Sequence, residues 1–224
     1  MGSDLQLIVF DWDGTLMDSE ARIVACIQAA IGDLGLEPRE ASAIRNIIGL
    51  GLREAIENLY PGCGEPLQER MSAAYRHHFL EANPTPSRLF EGAAATVAAL
   101  HEAGYLLAIA TGKGRRGLDR ALRETELGRL FHATRCADET LSKPDPLMLR
   151  QIMEEVAVEP EQTLMVGDTE YDMLMARQAG SAALAVSYGV HAPERLLQHE
   201  PKGCIHDIRE LTPWLCGEPS EAAG

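Results

Sequence analysis

Short apolar runs alternate with amphipathic stretches along most of this chain. Leu5-Gln6-Leu7-Ile8-Val9-Phe10 is one such run and ends at an acidic, glycine-containing turn, as a buried strand does. Tyr105–Ala110 and Thr163–Val166 repeat the pattern, and Ala182–Val186 repeats it more weakly. Between the strands the apolar positions recur at helical spacing over Ala93–Ala103, Arg115–Glu124, Pro146–Val156 and Tyr171–Ala179. Gly104 and Gly180 stand just past two of these helices, where a left-handed cap is expected. Strands alternating with helices predict an α/β fold: a doubly wound parallel sheet covered on both faces.

One stretch breaks the alternation. Residues 17–87 contain no clear strand, and Ser19–Leu34, Glu40–Ile48, Leu52–Leu59 and Leu67–Leu80 read as four helices. Pro61-Gly62 punctuates two of them, and Asn83-Pro84-Thr85-Pro86 closes the segment like a linker. The expected division is a core of residues 1–16 and 88–216, an inserted α-helical domain over 17–87, and a flexible tail at 217–224.

Composition narrows the class of function. The 224 residues are 46% hydrophobic and 24% charged, the balance of a globular protein. Net charge is −14, which repels nucleic-acid phosphates and makes nucleic acid a poor partner. A small phosphate anion would meet the same long-range repulsion, so a site for one needs its own local positive charge. Five cysteines without a C-x-x-C pair, and no basic-then-apolar leader, set the expectation of a reduced cytoplasmic protein. Leu5–Phe10 is too short to span a membrane. Met1-Gly2 is followed by Gln6 where a myristoylation signal needs Ser or Thr. A monomer or small homo-oligomer is expected.

Four segments carry candidate chemistry at the strand ends, the edge where open parallel sheets bind ligands. In Asp11-Trp12-Asp13-Gly14-Thr15-Leu16 alternation points both aspartates one way, a repulsive arrangement unless a divalent cation or a proton intervenes. Alone, the same segment also reads as an acidic N-cap turn. Ala110-Thr111-Gly112-Lys113 offers a hydroxyl and backbone N–H groups at a helix start, suited to an anion or to a plain cap. Ser142-Lys143-Pro144-Asp145-Pro146 fixes one of only three lysines, the others being Lys113 and Lys202; alone it reads as a solvated surface lysine. In Gly167-Asp168-Thr169-Glu170-Tyr171-Asp172 the aspartates are one helical turn apart, sharing a side or forming an acidic first turn. Together the four supply carboxylates, a hydroxyl, backbone donors and a lysine, the parts needed to handle one phosphoryl group and one hard cation.

In order and spacing these segments resemble the four motifs of the haloacid dehalogenase-like hydrolase superfamily, over nearly the whole chain. The helical block resembles the cap that the phosphoglycolate-phosphatase-like branch inserts after its first motif. The resemblance implies a Mg²⁺-dependent phosphatase acting on a small phosphorylated metabolite. Asp11 would be the nucleophile and Asp13 the general acid and base. The Asp11 side chain, the Asp13 carbonyl and Asp168 would bind Mg²⁺. Asp172 would support the cation or hold Lys143. Thr111 and Gly112 would bind phosphoryl oxygens, and Lys143 would neutralise charge on Asp11 and the phosphate.

The branch narrows further. Dehalogenases of the superfamily lack an acid at the position of Asp13, and the phosphonate-cleaving members use a cap lysine where residues 17–87 have none. Sugar phosphomutases favour a basic cap residue, a part Arg45 or Arg53 could take, so that alternative stays open. Arg53, after a glycine-bearing turn, is a candidate for gripping an anionic leaving group, or a plain surface arginine. His77 and His78 read as structural or surface residues. Gly112-Lys113-Gly114-Arg115-Arg116-Gly117 matches a dinucleotide fingerprint but leaves Asp11, Asp13, Lys143 and Asp168 without roles. A phospho-aspartate switch would share most of the site, but Asp13 would destroy the long-lived phosphoaspartate it needs.

Overall fold

The computed structural model describes residues 5–217. Strand β1 (Leu7–Phe10) leads through a tight turn to β2 (Met17–Asp18). Four helices follow: α1 (Glu20–Asp33), α2 (Ala41–Asn46), α3 (Leu52–Leu59) and α4 (Gly64–His77), the last running on into a π-helical turn at His78–Ala82. The chain returns through β3 (Arg88–Leu89), α5 (Ala93–Glu102), β4 (Leu106–Thr111), α6 (Arg115–Thr125) and β5 (Ala133–Cys136). It then continues through α7 (Leu147–Val156), β6 (Thr163–Gly167), α8 (Glu170–Ala179), β7 (Ala182–Val186), α9 (Pro193–Leu197), β8 (Cys204–Ile205) and α10 (Leu211–Cys216).

Six strands form one parallel sheet in the order β5-β4-β1-β6-β7-β8. Because side chains alternate along a strand, β1 feeds both faces at once. Ile8 and Phe10 pack with Val97 and Leu100 of α5, Leu118 of α6 and Leu211 of α10. Leu7 and Val9 pack on the other face with Ile152 of α7 and Met173 and Ala176 of α8. This is the doubly wound arrangement that the alternation predicts.

The register matters for function. Phe10 sits opposite Ile109 on one side and Val166 on the other, so the three strands end within two residues of the same level. The chain winds outward from β1 to β5, then crosses back to start again at β6. The crevice at such a reversal in strand order is where ligands bind.

The differences from the sequence reading fall mainly at edges. Strand β5 is missing from that reading because Thr134 and Arg135 are only half-buried, so Ala133–Cys136 lacks a continuous apolar run. Two-residue β8 is too short to leave a pattern. Met17–Asp18, expected to be strand-free, pairs antiparallel with Arg88–Leu89. Helix α4 begins at Gly64 rather than Leu67, with Pro66 tolerated in the first turn, where its missing N–H has no intrahelical partner to lose. Beyond Gly217 the expected tail lies outside the described residues.

The four helices of the block share a third core, built on Ile23, Ile27, Ile44, Ile56, Leu59 and Met71. Ile56→Ala is expected to lower stability by about 2–5 kcal/mol, the usual cost of a large-to-small change in a closed core. Denaturant unfolding followed by circular dichroism measures it. A loss below about 0.5 kcal/mol, the scale of surface substitutions, would show that these helices are not held by this cluster.

Candidate active site

Asp11 is the first residue after β1, and its N–H still donates to the Val166 carbonyl at 3.0 Å, so the tip of β6 holds it in place. Asp168 occupies the matching position after β6. Asp172 lies one turn into α8, where Thr169 and Asp172 form a reciprocal capping box that sets the start of the helix. Lys143 reaches in from the loop between β5 and α7. Asp11, Lys143, Asp168 and Asp172 are all at least 99% buried.

Lys143 is the hinge of the cluster. Its Nζ lies 2.9 Å from Asp11 Oδ1 and 2.6 Å from Asp172 Oδ1. The other Asp172 oxygen accepts from the Thr169 N–H at 3.0 Å and the Thr169 hydroxyl at 2.6 Å. Asp168 accepts from the Thr15 hydroxyl at 2.8 Å and the Val190 N–H at 2.9 Å. Asp11 Oδ2 is buried without any hydrogen-bond partner among the described residues. One oxygen from each of Asp11, Asp168 and Asp172 can be chosen so that all three lie within 4.8 Å of one another.

Three buried carboxylates facing one ammonium leave a deficit of two positive charges when all are ionised. The ionisation equilibria register that deficit. Burial pushes the Asp11 carboxyl up to about 7, with Lys143 opposing the shift and Asp172 and Asp13 adding to it. Burial, then repulsion from Asp11 and Asp172, raises Asp168 well above the carboxylate range. Burial alone would lower the Lys143 ammonium, but Asp11 and Asp172 outweigh it and hold it above the ordinary lysine range. A divalent cation meets the deficit, and an all-oxygen donor set with an unsatisfied Asp11 oxygen fits a hard one.

Asp13 is held differently. Lys113 Nζ donates to both of its carboxylate oxygens, at 2.7 and 2.9 Å, and the Ser19 hydroxyl adds a third bond at 2.7 Å. The aspartate is therefore a fully engaged carboxylate here. Lys113 also lies 4.4 Å above the centroid of the Phe79 ring. Thr111 is buried at the end of β4, and its hydroxyl oxygen accepts from the Lys113 N–H at 3.1 Å.

Close backbone approach explains two glycines. Gly14 turns at φ 91°, and a Cβ there would lie 2.1 Å from Asp168 Oδ2. At Gly112 a Cβ would lie 2.5 Å from the carbonyl oxygens of both Gly49 and Leu50, so the loop before α3 rests directly on the end of β4. The Gly51 N–H donates to Ser142 Oγ at 2.7 Å, next to Lys143. The helical block is thus closed over the strand ends.

Eight of the residues singled out from the sequence lie in this neighbourhood, in two groups, whereas Arg45 does not line the cavity and pairs with Glu20. Asp11, Lys143, Asp168 and Asp172 form the buried cluster. Asp11, Asp13, Thr111, Gly112 and Arg53 line the cavity beneath the block. Arg53 sits at its exposed rim, 3.5 Å from Glu65. The sequence reading gave no role to Lys113, Ser19, Thr15 or the loop after β7 that brings Val190 onto Asp168. Lys113 had one signal, its place beside Thr111 in a lysine-poor chain.

Known proteins match this chain along most of its length. The sequence model of the haloacid dehalogenase-like hydrolases matches residues 8–186. A protein of Dickeya dadantii named "Probable phosphatase IndB" is 34% identical, covering 92% of this chain and 91% of its own. Phosphoglycolate phosphatase 1 of Pseudomonas aeruginosa is 30% identical, over 93% of this chain and 79% of its own. A hydrolase from Pseudomonas syringae of known crystal structure superposes with a TM-score of 0.87 at 22% identity, covering 95% and 98% of the two chains, and shows the same fold. The matched region spans the strand tips that carry Asp11, Thr111 and Asp168 and the loop that carries Lys143, and the chain belongs to the haloacid dehalogenase-like hydrolase family.

Proposed function

We propose that this enzyme is a Mg²⁺-dependent phosphatase that hydrolyses phosphate monoesters through an aspartyl-phosphate on Asp11. The observation that carries the reading is the buried Asp11 carboxylate, with Lys143 on one oxygen and no hydrogen-bond partner on the other. Two of the relatives described above are named as phosphatases, which supports the same reaction.

In the first step an Asp11 oxygen attacks phosphorus and the ester oxygen departs, taking a proton from Asp13. In the second, Asp13 accepts a proton from water as that water attacks phosphorus, and phosphate leaves Asp11 free again. The Asp13 carboxylate bonded to Lys113 is the form suited to this second step; for the first it must carry a proton. Thr111 and Gly112 bind phosphoryl oxygens, and Lys143 balances the charge that builds on Asp11 and the transferred group. Asp11, Asp168 and the Asp13 carbonyl, with Asp172 behind them, would hold Mg²⁺, which would supply charge neutralisation at the phosphoryl group. Residues 17–87 act as a cap on a core of 1–16 and 88–216. Unpaired thiols at all five cysteines fit a reducing cytoplasm, and no described helix is long and apolar enough to cross a membrane.

Phosphate release from p-nitrophenyl phosphate, with Mg²⁺ or with chelator, tests the reaction. The expected result is metal-dependent turnover that falls to below roughly a thousandth in Asp11→Asn. Retention of a few per cent of the wild-type rate would remove Asp11 as nucleophile.

The cation also links stability to pH. A raised carboxyl pKa means that the folded state keeps a proton the unfolded chain has lost. The stability from this effect is present below the ordinary value of 3.8 and is lost as pH rises through about 7 at Asp11. Mg²⁺ competes with that proton, so it stabilises little at pH 5 and strongly at pH 8. At a hundredfold excess over its dissociation constant, the gain at pH 8 is about 2.7 kcal/mol, or roughly 5–10 °C in Tm. Thermal melts with Mg²⁺ and with chelator at both pH values measure it. Equal shifts at the two pH values, or a shift that survives Asp168→Asn, count against the site.

A further inference from the structure

Beneath the helical block, opening onto Asp11, Asp13 and Thr111, lies a cavity of about 680 Å³. Its upper wall is largely apolar: Ile23, Ile27, Ile48, Leu52, Phe79 and the ring of Tyr75 line it. The positive charge sits elsewhere. Lys113 is already bonded to Asp13, and Arg53, Arg76 and Arg116 are exposed at the rim with the acids Glu54 and Asp138. In a chain of net charge −14, rim arginines favour the approach of a phosphate dianion.

A phosphorylated two-carbon acid does not suit this space. Allotting each of its roughly nine heavy atoms a water's share of about 30 Å³ fills under half of the cavity. Away from the rim arginines its carboxylate would also lie among isoleucines and leucines, where an unpaired charge is costly. We propose that the leaving group of the substrate is instead a bulky apolar body, an alkyl or aryl group of roughly six to fifteen heavy atoms at that same allotment, carried on the phosphate ester. The phosphoryl end sits at Asp11 and the body fills the chamber against α1, α3 and the end of α4. This rests on the phosphatase reading above and adds to it the class of substrate.

The test is a series of straight-chain phosphates, ethyl, butyl, hexyl and octyl, with phosphoglycolate beside them. The alcohols of the series are nearly equal leaving groups, so the trend reports binding rather than reactivity. The expected result is a rise in kcat/KM of about fourfold per methylene until the chamber is full, with hexyl phosphate ahead of phosphoglycolate. A flat or falling series, or phosphoglycolate ahead of hexyl phosphate, overturns the proposal.

Calorimetric titration of ethyl and hexyl phosphate into Asp11→Asn with Mg²⁺ separates the two readings. Hexyl phosphate binding at least about tenfold more tightly supports the chamber even if no substrate turns over, in which case it is the phosphatase reading that falls. Equal affinities overturn the chamber whatever the turnover. Leu52→Glu places a charge in the wall and is expected to flatten both trends; an unchanged slope in a folded variant overturns the assigned position.

Discussion

Three carboxylates buried around a single ammonium set the terms for the rest of this molecule. In a medium that solvates charge poorly, such a group is stable only if protons or a cation make up the difference. The fold supplies the rigidity that keeps the carboxylates from moving apart. Asp11 and Asp168 are fixed by adjacent parallel strands ending in register, and Asp172 by a capping box at the head of α8. Lys143 takes part of the charge but cannot take all of it. The unsatisfied oxygen on Asp11 is where that shortfall shows among the described residues.

The second aspartate shows how the helical block is coupled to that cluster. Asp13 belongs to the strand end, yet its partners come from elsewhere: Ser19 from the entrance to α1, and Lys113 from the turn after β4. Lys113 in turn lies against Phe79 from the far end of the block. Above it the Gly49 and Leu50 carbonyls rest on Gly112, and Gly51 donates to Ser142. The surroundings of Asp13 are therefore shared between the core and the block.

Much of this was legible in the sequence because the site lies where strong local patterns stop. An apolar run ending in Asp-x-Asp-Gly marks both a strand and its functional tip, and the same logic located Thr111 and Asp168. What was not legible was pairing between distant segments. Nothing local connects Lys113 to Asp13, a hundred residues earlier, or Val190 to Asp168. The edge strand Ala133–Cys136 was invisible because half-exposed Thr134 and Arg135 interrupt its apolar pattern. The isoleucines of α1 carried the periodicity of an ordinary helix core; only the packing of the block reveals that some of them also face a chamber.

The short ribbon of β2 and β3 has a consequence for how such a molecule can change. The helical block leaves the core at Met17–Asp18 and re-enters at Arg88–Leu89, and those two points are bonded to each other. To the sheet, the intervening chain is topologically a hairpin loop whose ends are already joined. Closing a loop costs only about 0.6 kcal/mol more for each doubling of its length, so a block of this size adds roughly 2 kcal/mol over a short turn. It recovers that through its own core. The segment between the ribbon strands can therefore lengthen, shorten or be exchanged while β1 keeps its neighbours in the sheet.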